Sequence, residues 1–295
     1  YRKTAIHDLM RDIEPDKTGH LPSLPNASGQ PGLFDAPQAV GKEYRLVNTP
    51  DALKTFIKQL SQQKRFAFDT ETTGLDSMRC SLVGMSFSWS PGQAWYLALM
   101  GPALFDATLD LDSTLNAVRP YLEDSRIEKV GQNMLFDALV MRSHGVRVRG
   151  KFFDTMVADW ALDPARRHNL DTLALRWLNY KKIATESLIG KSGKTTMADA
   201  PIEMVSEYAC EDADTTFRIA EILEKQLKAE GLDKLFFEIE MPLLDVLEDM
   251  TWTGFAVETK ELNALSEKLG ADIRRLNDEI IRSEERRVGK ECRSR

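Results

Sequence analysis

The stretch that most limits the possible folds is Phe66–Gly74, which reads FAFDTETTG. It begins as an apolar run typical of a buried β-strand and then places two carboxylates, Asp69 and Glu71, two positions apart. Residues i and i+2 of a strand point to the same face, so both acids are expected to leave the sheet on one side. Like charges that close repel, and desolvation raises the cost further; solvent, a shared proton or a bound cation would offset it.

Composition indicates an acidic globular chain. Of its 295 residues, 42% are apolar and 29% are charged, and no apolar run is long enough to span a membrane. Three widely spaced cysteines indicate no disulfide framework, so a reducing cytoplasm is the expected location. A net charge of −7 makes the chain a poor clamp for nucleic acid, so such a substrate would be held at one end or delivered by a partner domain.

The pattern along the chain predicts an α/β domain. Residues 1–43 read as a tail and linker, with a short helix over residues 1–14 and five of the twelve prolines at residues 15–37. From Tyr44 we expect a helix capped by Thr49, three strands, and then alternating helix and strand, giving a mixed sheet flanked by helices. The expected strands are RFAFD, CSLVGMSFSW, QAWYLAL and EKVGQ.

Two further acids fall at telling positions. Asp137 follows Asn133 by four residues at the start of a predicted helix, and Asp212 follows Tyr208 by four residues on a long predicted helix. Each acid alone is most often a solvated surface residue. Four acids converging on one cleft make little sense without divalent cations, for which magnesium or manganese is the natural choice. Two such ions, about 3.5–4 Å apart, activate a water and stabilise the leaving oxygen in phosphodiester hydrolysis.

The segments FAFDTETTGLD, VGQNMLFD and YACEDAD resemble the three motifs of the four-carboxylate 3′–5′ exonucleases of the Tyr-containing type. Their order and spacing are similar to those in the proofreading domain of bacterial family A DNA polymerases, over residues 44–231. The resemblance implies a ribonuclease H-like fold acting on a single-stranded or frayed DNA 3′ end. It also implies two divalent ions, Mg²⁺ foremost, with Mn²⁺ or Zn²⁺ as alternatives, and release of nucleoside 5′-monophosphates.

The same resemblance implies a role for each site residue. Asp69, Glu71 and Asp212 would bind the first metal, Asp69 would bridge to the second, and Asp137 would hold the second, partly through water. Tyr208 would orient the attacking water.

Four more residues are expected to contact the DNA. By resemblance, Thr72 and Leu75 would touch the terminal nucleotide, and Gln132 and Asn133 could donate hydrogen bonds to the sugar–phosphate strand. Such base-independent contacts suit an enzyme that excises any nucleotide. Thr185 stands where the bacterial family has an aromatic, which predicts a weaker grip there.

Other conspicuous residues receive structural interpretations. Asp154 is expected to be a helix N-cap, and Asp214 is expected to face away from Asp212. Trp160 and Trp177 are expected in the core. A solvated face is expected for four lysines, Lys181, Lys182, Lys191 and Lys194.

Residues 232–281 resemble the start of the family's polymerase thumb, so the remainder of a polymerase is expected in cis, and no polymerase active site is expected within these 295 residues. The last residues, 282–295, break the helical pattern and resemble a translated sequencing adapter; this tail, with Cys292, is expected to be non-native and to pack against nothing.

Three alternatives fit the sequence less well. A ribonuclease D-like RNA 3′-exonuclease shares the Tyr-containing motif, but such enzymes continue into a helical nucleic-acid-binding module. A scaffold domain of a polymerase would have lost metal ligands, and all of them are present here. A three-carboxylate ribonuclease H-type endonuclease fits the sheet but not the Tyr208–Asp212 pairing. The chain is expected to be a monomer.

Overall fold

A computed structural model describes residues 41–102, 107–190 and 195–291, with side chains described as far as residue 283. The chain divides into two compact units, the first ending at Asp249 and the second beginning at Met250. The helix predicted over residues 1–14 and the proline-rich part of the linker lie outside the described residues, as does Cys292.

The first unit is built on a six-stranded mixed sheet. Its strands are β1 (Glu43–Val47), β2 (Arg65–Thr72), β3 (Leu82–Ser90), β4 (Gln93–Ala98), β5 (Glu128–Gly131) and β6 (Phe152–Asp154). They lie in the order β1-β4-β3-β2-β5-β6. The strand β3 is antiparallel to β2 and β4, and the other neighbours are parallel. The strand that carries Asp69 and Glu71 therefore lies inside the sheet.

The helices follow the strands in an α/β order and then continue as a helical run. They are α1 (Pro50–Leu60), α2 (Leu111–Leu122), α3 (Met134–Ser143), α4 (Thr155–Leu162), α5 (Leu170–Leu178), α6 (Glu186–Ile189), α7 (Ile202–Ala229), α8 (Asp233–Leu235), α9 (Met241–Thr253) and α10 (Thr259–Glu291). A 3₁₀ turn covers Met197–Asp199 and a π-helical turn covers Phe236–Glu240.

No helix in the described ranges is both long and apolar enough to cross a lipid bilayer.

The α1 helix begins with the capping residues that its sequence predicts. Thr49 accepts a hydrogen bond from the backbone N–H of Ala52 at 3.3 Å, and Pro50 occupies the first helical position. Phe56 and Leu60 point into the core, where Phe56 contacts Phe87 of β3. The predicted capped helix is confirmed.

The long helix α7 packs across the strands β2, β3 and β4. Helices α4 and α5 also contact α7, so α7 is covered on more than its sheet face and every residue from Tyr208 to Ala220 is buried. Because α7 crosses β2, it brings Tyr208 and Asp212 to the strand that carries Asp69 and Glu71.

Two expectations from the pattern are wrong. Trp177 is buried, but the side chain of Trp160 is 43% exposed. The buried face of α4 consists of Thr155, Ala158 and Asp159, and two of these are polar, so apolar spacing identifies the wrong face. The backbone also stays helical to Glu291 instead of breaking near residue 282. The packing of the tail's side chains lies outside the described residues.

Two strands were not predicted. The edge strand β1 alternates exposed charged residues with apolar ones, and β6 has only three residues before α4 begins. Strand β6 is too short, and β1 too polar, to be recognised from a run of apolar residues.

Asp154 ends β6 and caps two helices at once. Its carboxylate accepts hydrogen bonds from the backbone N–H groups of Met156 and Val157, at the start of α4. It also accepts from Asn133 at 3.2 Å and Met134 at 2.7 Å, at the start of α3. The predicted N-cap is therefore confirmed, and the same side chain joins α3, which carries Asp137, to the sheet edge.

We expect Asp154→Ala to lower the free energy of unfolding by roughly 3–5 kcal/mol, because two caps are lost and buried N–H donors are left without acceptors. Chemical denaturation would measure the loss. Asp110→Ala is the matched control, since Asp110 caps only α2 and is exposed to solvent, and a clearly smaller loss is expected there. Equal losses would contradict the double-cap role.

Candidate active site

Asp69 and Glu71 lie on β2, where the strand approaches its end. Glu71 is buried and Asp69 is half-buried. The pairing of β2 with β3 becomes irregular between Glu71 and Thr72, so the chain leaves the sheet directly after the second acid. The sequence thus places both carboxylates at the end of an interior strand.

Asp137 reaches β2 from the start of α3. Strand β5 pairs with β2 only as far as Ala67, so the backbone N–H of Thr70 has no strand partner on that side. The Asp137 carboxylate takes that position, accepting from the Thr70 N–H at 2.9 Å and from the Thr70 hydroxyl at 2.5 Å. Asn133, in the left-handed conformation with φ 62°, makes the turn from β5 into α3.

Tyr208 and Asp212 lie one turn apart on the face of α7 that meets β2. Both are buried. The hydroxyl groups of Tyr208 and Thr185 are hydrogen-bonded at 2.9 Å. The Asp212 carboxylate forms an ion pair with the ammonium group of Lys182. The structure thus brings all five predicted catalytic residues to one place.

Asp69, Glu71, Asp137 and Asp212 form what we call the carboxylate cluster. Burial raises the pKa of Glu71 to about 8, that of Asp137 to about 7 and that of Asp212 to about 6. The pKa of Asp69 is also raised, first by burial and then by repulsion from the other three carboxylates. The charged forms of the four acids therefore destabilise one another.

Lys182 compensates for part of this negative charge. Its attraction lowers the pKa of Asp212 against the larger effect of burial. One ammonium group cannot balance four carboxylates, so the cluster retains an excess of negative charge when all four are ionised.

The donors of the cluster fit a hard divalent cation. All four are carboxylates, which magnesium and manganese prefer. As the side chains stand, no three acidic, histidine or cysteine residues within the described part of the chain converge tightly enough to hold a metal ion. The Asp212 carboxylate is instead paired with Lys182, and that of Asp137 is hydrogen-bonded to Thr70. A cation bound among the four acids would offset their repulsion.

The four residues predicted to contact DNA differ in exposure and in the hydrogen bonds that they make within the protein. The side chain of Leu75 is 95% exposed, and Asn133 is also exposed. The Thr72 hydroxyl donates to the carbonyl of Gly74 at 2.8 Å. The Gln132 amide donates to the carbonyl of His168 and accepts from the Thr155 hydroxyl. One N–H of Gln132 is therefore already used within the protein, and all four contacts stay predictions.

The remaining interpretations have mixed outcomes. Asp214 faces away from Asp212 as predicted, but it is buried and accepts hydrogen bonds from the Tyr44 hydroxyl and the Gly92 N–H. Lys181 is exposed as predicted. The solvated face predicted for Lys182 is wrong, because its segment folds back onto α7 and buries the side chain. Lys191 and Lys194 lie outside the described residues.

Sequence reasoning missed three residues of the site, namely Thr70, Lys182 and Thr185 as a partner of Tyr208. The position of Thr70 between Asp69 and Glu71 was the one available signal. Lys182 and Thr185 come from a loop whose path nothing local in the sequence specifies.

The model of one protein family, described as 3′–5′ exonuclease, matches residues 44–228. The chain belongs to this 3′–5′ exonuclease family. The predicted resemblance is confirmed, since a DNA polymerase I of Pseudomonas aeruginosa is 35% identical over 274 residues, covering 91% of this chain and 29% of the relative. A DNA polymerase I of Borreliella burgdorferi is 32% identical, covering 82% of this chain and 26% of that protein. The chain thus spans under a third of each relative.

Solved structures with the same fold confirm the ribonuclease H-like class. The POL domain of Pol1 from M. smegmatis, in complex with DNA primer-template and dNTP, matches 78% of this chain and 35% of its own with a TM-score of 0.61 and 18% identity. NrnC of Brucella melitensis with bound Mg²⁺ matches 74% of this chain and 98% of its own, with a TM-score of 0.52 and 21% identity. The exonuclease family and the fold thus agree.

We expect the carboxylate cluster to make stability depend on pH and on divalent cations. Because their folded-state pKa values are raised, these carboxyl groups bind more protons in the folded chain than in the unfolded chain between about pH 4 and about pH 8. The stabilising contribution is complete below about pH 4 and is lost as the pH rises through 6 to 8. The melting temperature without divalent cations should therefore fall from pH 5 to pH 8, by about 2–4 °C per kcal/mol.

Addition of Mg²⁺ should raise the melting temperature more at pH 8 than at pH 5, because the ion competes with protons for the carboxylates. Glu71→Gln is the matched variant, and its melting temperature should depend less on pH. Identical pH slopes in the two proteins, measured by calorimetry, would contradict the role of the cluster.

Proposed function

We propose that this chain is the proofreading 3′–5′ exonuclease portion of a DNA polymerase I. It would hydrolyse the 3′-terminal phosphodiester of a single-stranded or frayed DNA end and release nucleoside 5′-monophosphates. The observation that carries the proposal is the convergence of the carboxylate cluster and Tyr208 at one buried site, within the region that matches the exonuclease family.

Two divalent cations, Mg²⁺ foremost, would activate the attacking water and stabilise the leaving oxygen. Asp69, Glu71 and Asp212 are assigned to the first ion, with Asp69 bridging to the second. Asp137 is assigned to the second ion, and Thr70 holds its carboxylate in place through the two hydrogen bonds described above. All the assigned ligands lie on rigid strands and helices, which keeps their spacing fixed.

Tyr208 is assigned to position the attacking water. Burial raises the pKa of its phenol above the ordinary value, so Tyr208 stays protonated at neutral pH and acts through its O–H group. The hydroxyl group of Thr185 contacts the Tyr208 oxygen at 2.9 Å and limits the rotation of that group. Tyr208 therefore orients a nucleophile and does not remove its proton.

The exposed side chain of Leu75 supports an apolar contact with the terminal base, since it follows the two acids of β2 by only a few residues. Such a contact does not depend on which base is present. With Thr72, Gln132 and Asn133, it would hold the end of a strand without reading its sequence, as the excision of any mismatched nucleotide requires.

Residues 232–281 are proposed to begin the thumb of the polymerase. In the second unit, α10 exposes apolar side chains three or four positions apart. These are Leu262, Leu265, Leu269, Ile273, Leu276 and Ile280. Exposed apolar stripes of this kind favour packing against further protein, here the remainder of the polymerase chain. The linker assignment of residues 1–43, the non-native tail at 282–295, a cytoplasmic location and a monomeric state complete the proposal.

We expect Asp69→Ala to lower kcat/KM at least about a thousandfold, because a bridging metal ligand supplies several kcal/mol of transition-state stabilisation. The assay follows shortening of a 5′-labelled single-stranded DNA oligonucleotide with Mg²⁺. Asp112→Ala, which removes an exposed acid from α2, serves as the control and should retain full activity.

Tyr208→Phe should lower kcat by about 10²-fold with little change in KM, since only the positioning of the nucleophile is lost. A 5′-labelled RNA of the same sequence tests the ribonuclease D-like alternative. Faster hydrolysis of RNA than of DNA would favour that alternative, and no hydrolysis of either by the folded chain would favour the scaffold.

A further inference from the structure

The proposed reaction assigns no role to Lys182, although this residue lies within the site. Its side chain is almost completely buried, and its ammonium group forms an ion pair with Asp212. It also lies 5.3 Å from the centre of the Tyr208 ring. A buried ammonium group is costly unless it is paired, and its partner here is one of the assigned metal ligands.

The position of Lys182 is built into the fold. Glu211, the neighbour of Asp212 on α7, is buried and accepts a hydrogen bond from the backbone N–H of Ile183 at 2.6 Å. It also accepts from the hydroxyl group of Tyr180 and from the ammonium group of Lys42. The segment is therefore anchored to α7 on both sides of Lys182, which directs that side chain at the cluster.

A second carboxylate lies within reach of the same ammonium group. The Nζ atom of Lys182 is 3.6 Å from Asp171, at the start of α5, whose side chain is exposed. Lys182 thus lies between a buried acid and a solvated one. A small movement of its flexible stem would exchange the first partner for the second.

A divalent cation at Asp212 and the Lys182 ammonium group would compete for one carboxylate. Lys182 already occupies one of its oxygens, and two positive charges on the same carboxylate repel each other strongly in a desolvated site. An ion that enters the cluster must therefore displace Lys182 or accept a weaker bond to Asp212.

We propose that Lys182 is a resident cation of the metal site that competes with the divalent ion for Asp212 and thereby sets the affinity of the site for metal. This inference rests on the proposed function, because it assigns Asp212 to the metal. When the ion binds, the ammonium group moves to Asp171. When the ion leaves, Lys182 returns and limits the repulsion within the cluster.

The test measures binding of Mn²⁺ alone to the full chain at fixed pH, without DNA, from the loss of the free-ion signal in electron paramagnetic resonance. Lys182→Met removes the charge and should tighten Mn²⁺ binding by about tenfold or more. Lys182→Arg keeps the charge and should retain weak binding. Lys181→Met is the matched control, since it removes the same charge from the adjacent exposed residue, and it should leave the affinity unchanged.

Asp171→Asn tests the inference by removing the alternative partner of Lys182. Asp171 is exposed, so the variant is expected to fold. Without the alternative partner, Lys182 stays on Asp212, and Mn²⁺ binding should weaken about twofold to fivefold. Circular dichroism establishes that each variant is folded.

Unchanged or weaker Mn²⁺ binding by folded Lys182→Met would overturn the inference and leave the proposed function standing. If Lys182→Met does not fold, unchanged binding by Asp171→Asn overturns it equally. Absence of Mn²⁺ binding in the unmodified chain and in every variant, at millimolar ion, would overturn both the inference and the proposed function.

Discussion

Burying four carboxylates beside one another is costly, because each loses hydration and each repels the other three. Asp69, Glu71, Asp137 and Asp212 nonetheless lie together at the end of an interior strand. The protein offsets only part of this cost with its own groups. Two hydrogen bonds from Thr70 stabilise Asp137, and an ion pair with Lys182 stabilises Asp212. The rest of the cost must be met by the stability of the surrounding fold, which holds the four acids rigidly in place.

That rigidity comes from elements with few alternative positions. Strand β2 pairs with β3 from Ala67 to Thr72 and with β5 as far as Ala67, so Asp69 and Glu71 cannot turn outward without loss of the register with β3. The helix α7 crosses the sheet and is buried along half its length, which fixes Tyr208 and Asp212. Because β5 pairs with β2 only as far as Ala67, the edge of β2 beyond that residue is open to Asp137. The site is therefore a property of the sheet and its two helices.

Much of this arrangement could be predicted from the sequence because it depends on periodicities. The two-residue spacing of Asp69 and Glu71 in a strand and the four-residue spacing of Tyr208 and Asp212 in a helix both determine a shared face. The resemblance to the exonuclease family then predicts that the strand face and the helix face meet at one site. Lys182 could not be predicted, since its place depends on a loop that Glu211 holds from 28 residues away. Trp160 was misplaced because α4 buries polar residues and leaves the indole exposed.

Asp154 connects the site to the far edge of the sheet. Because one buried carboxylate accepts from the first N–H groups of both α3 and α4, fraying of either helix start would leave that carboxylate with fewer donors. Opening of these two helix starts therefore costs more free energy than opening of a solvent-exposed helix end. Amide protons at the starts of α3 and α4 would exchange slowly with solvent. Asp137, one turn into α3, is thereby protected from the local fluctuations that affect most helix termini.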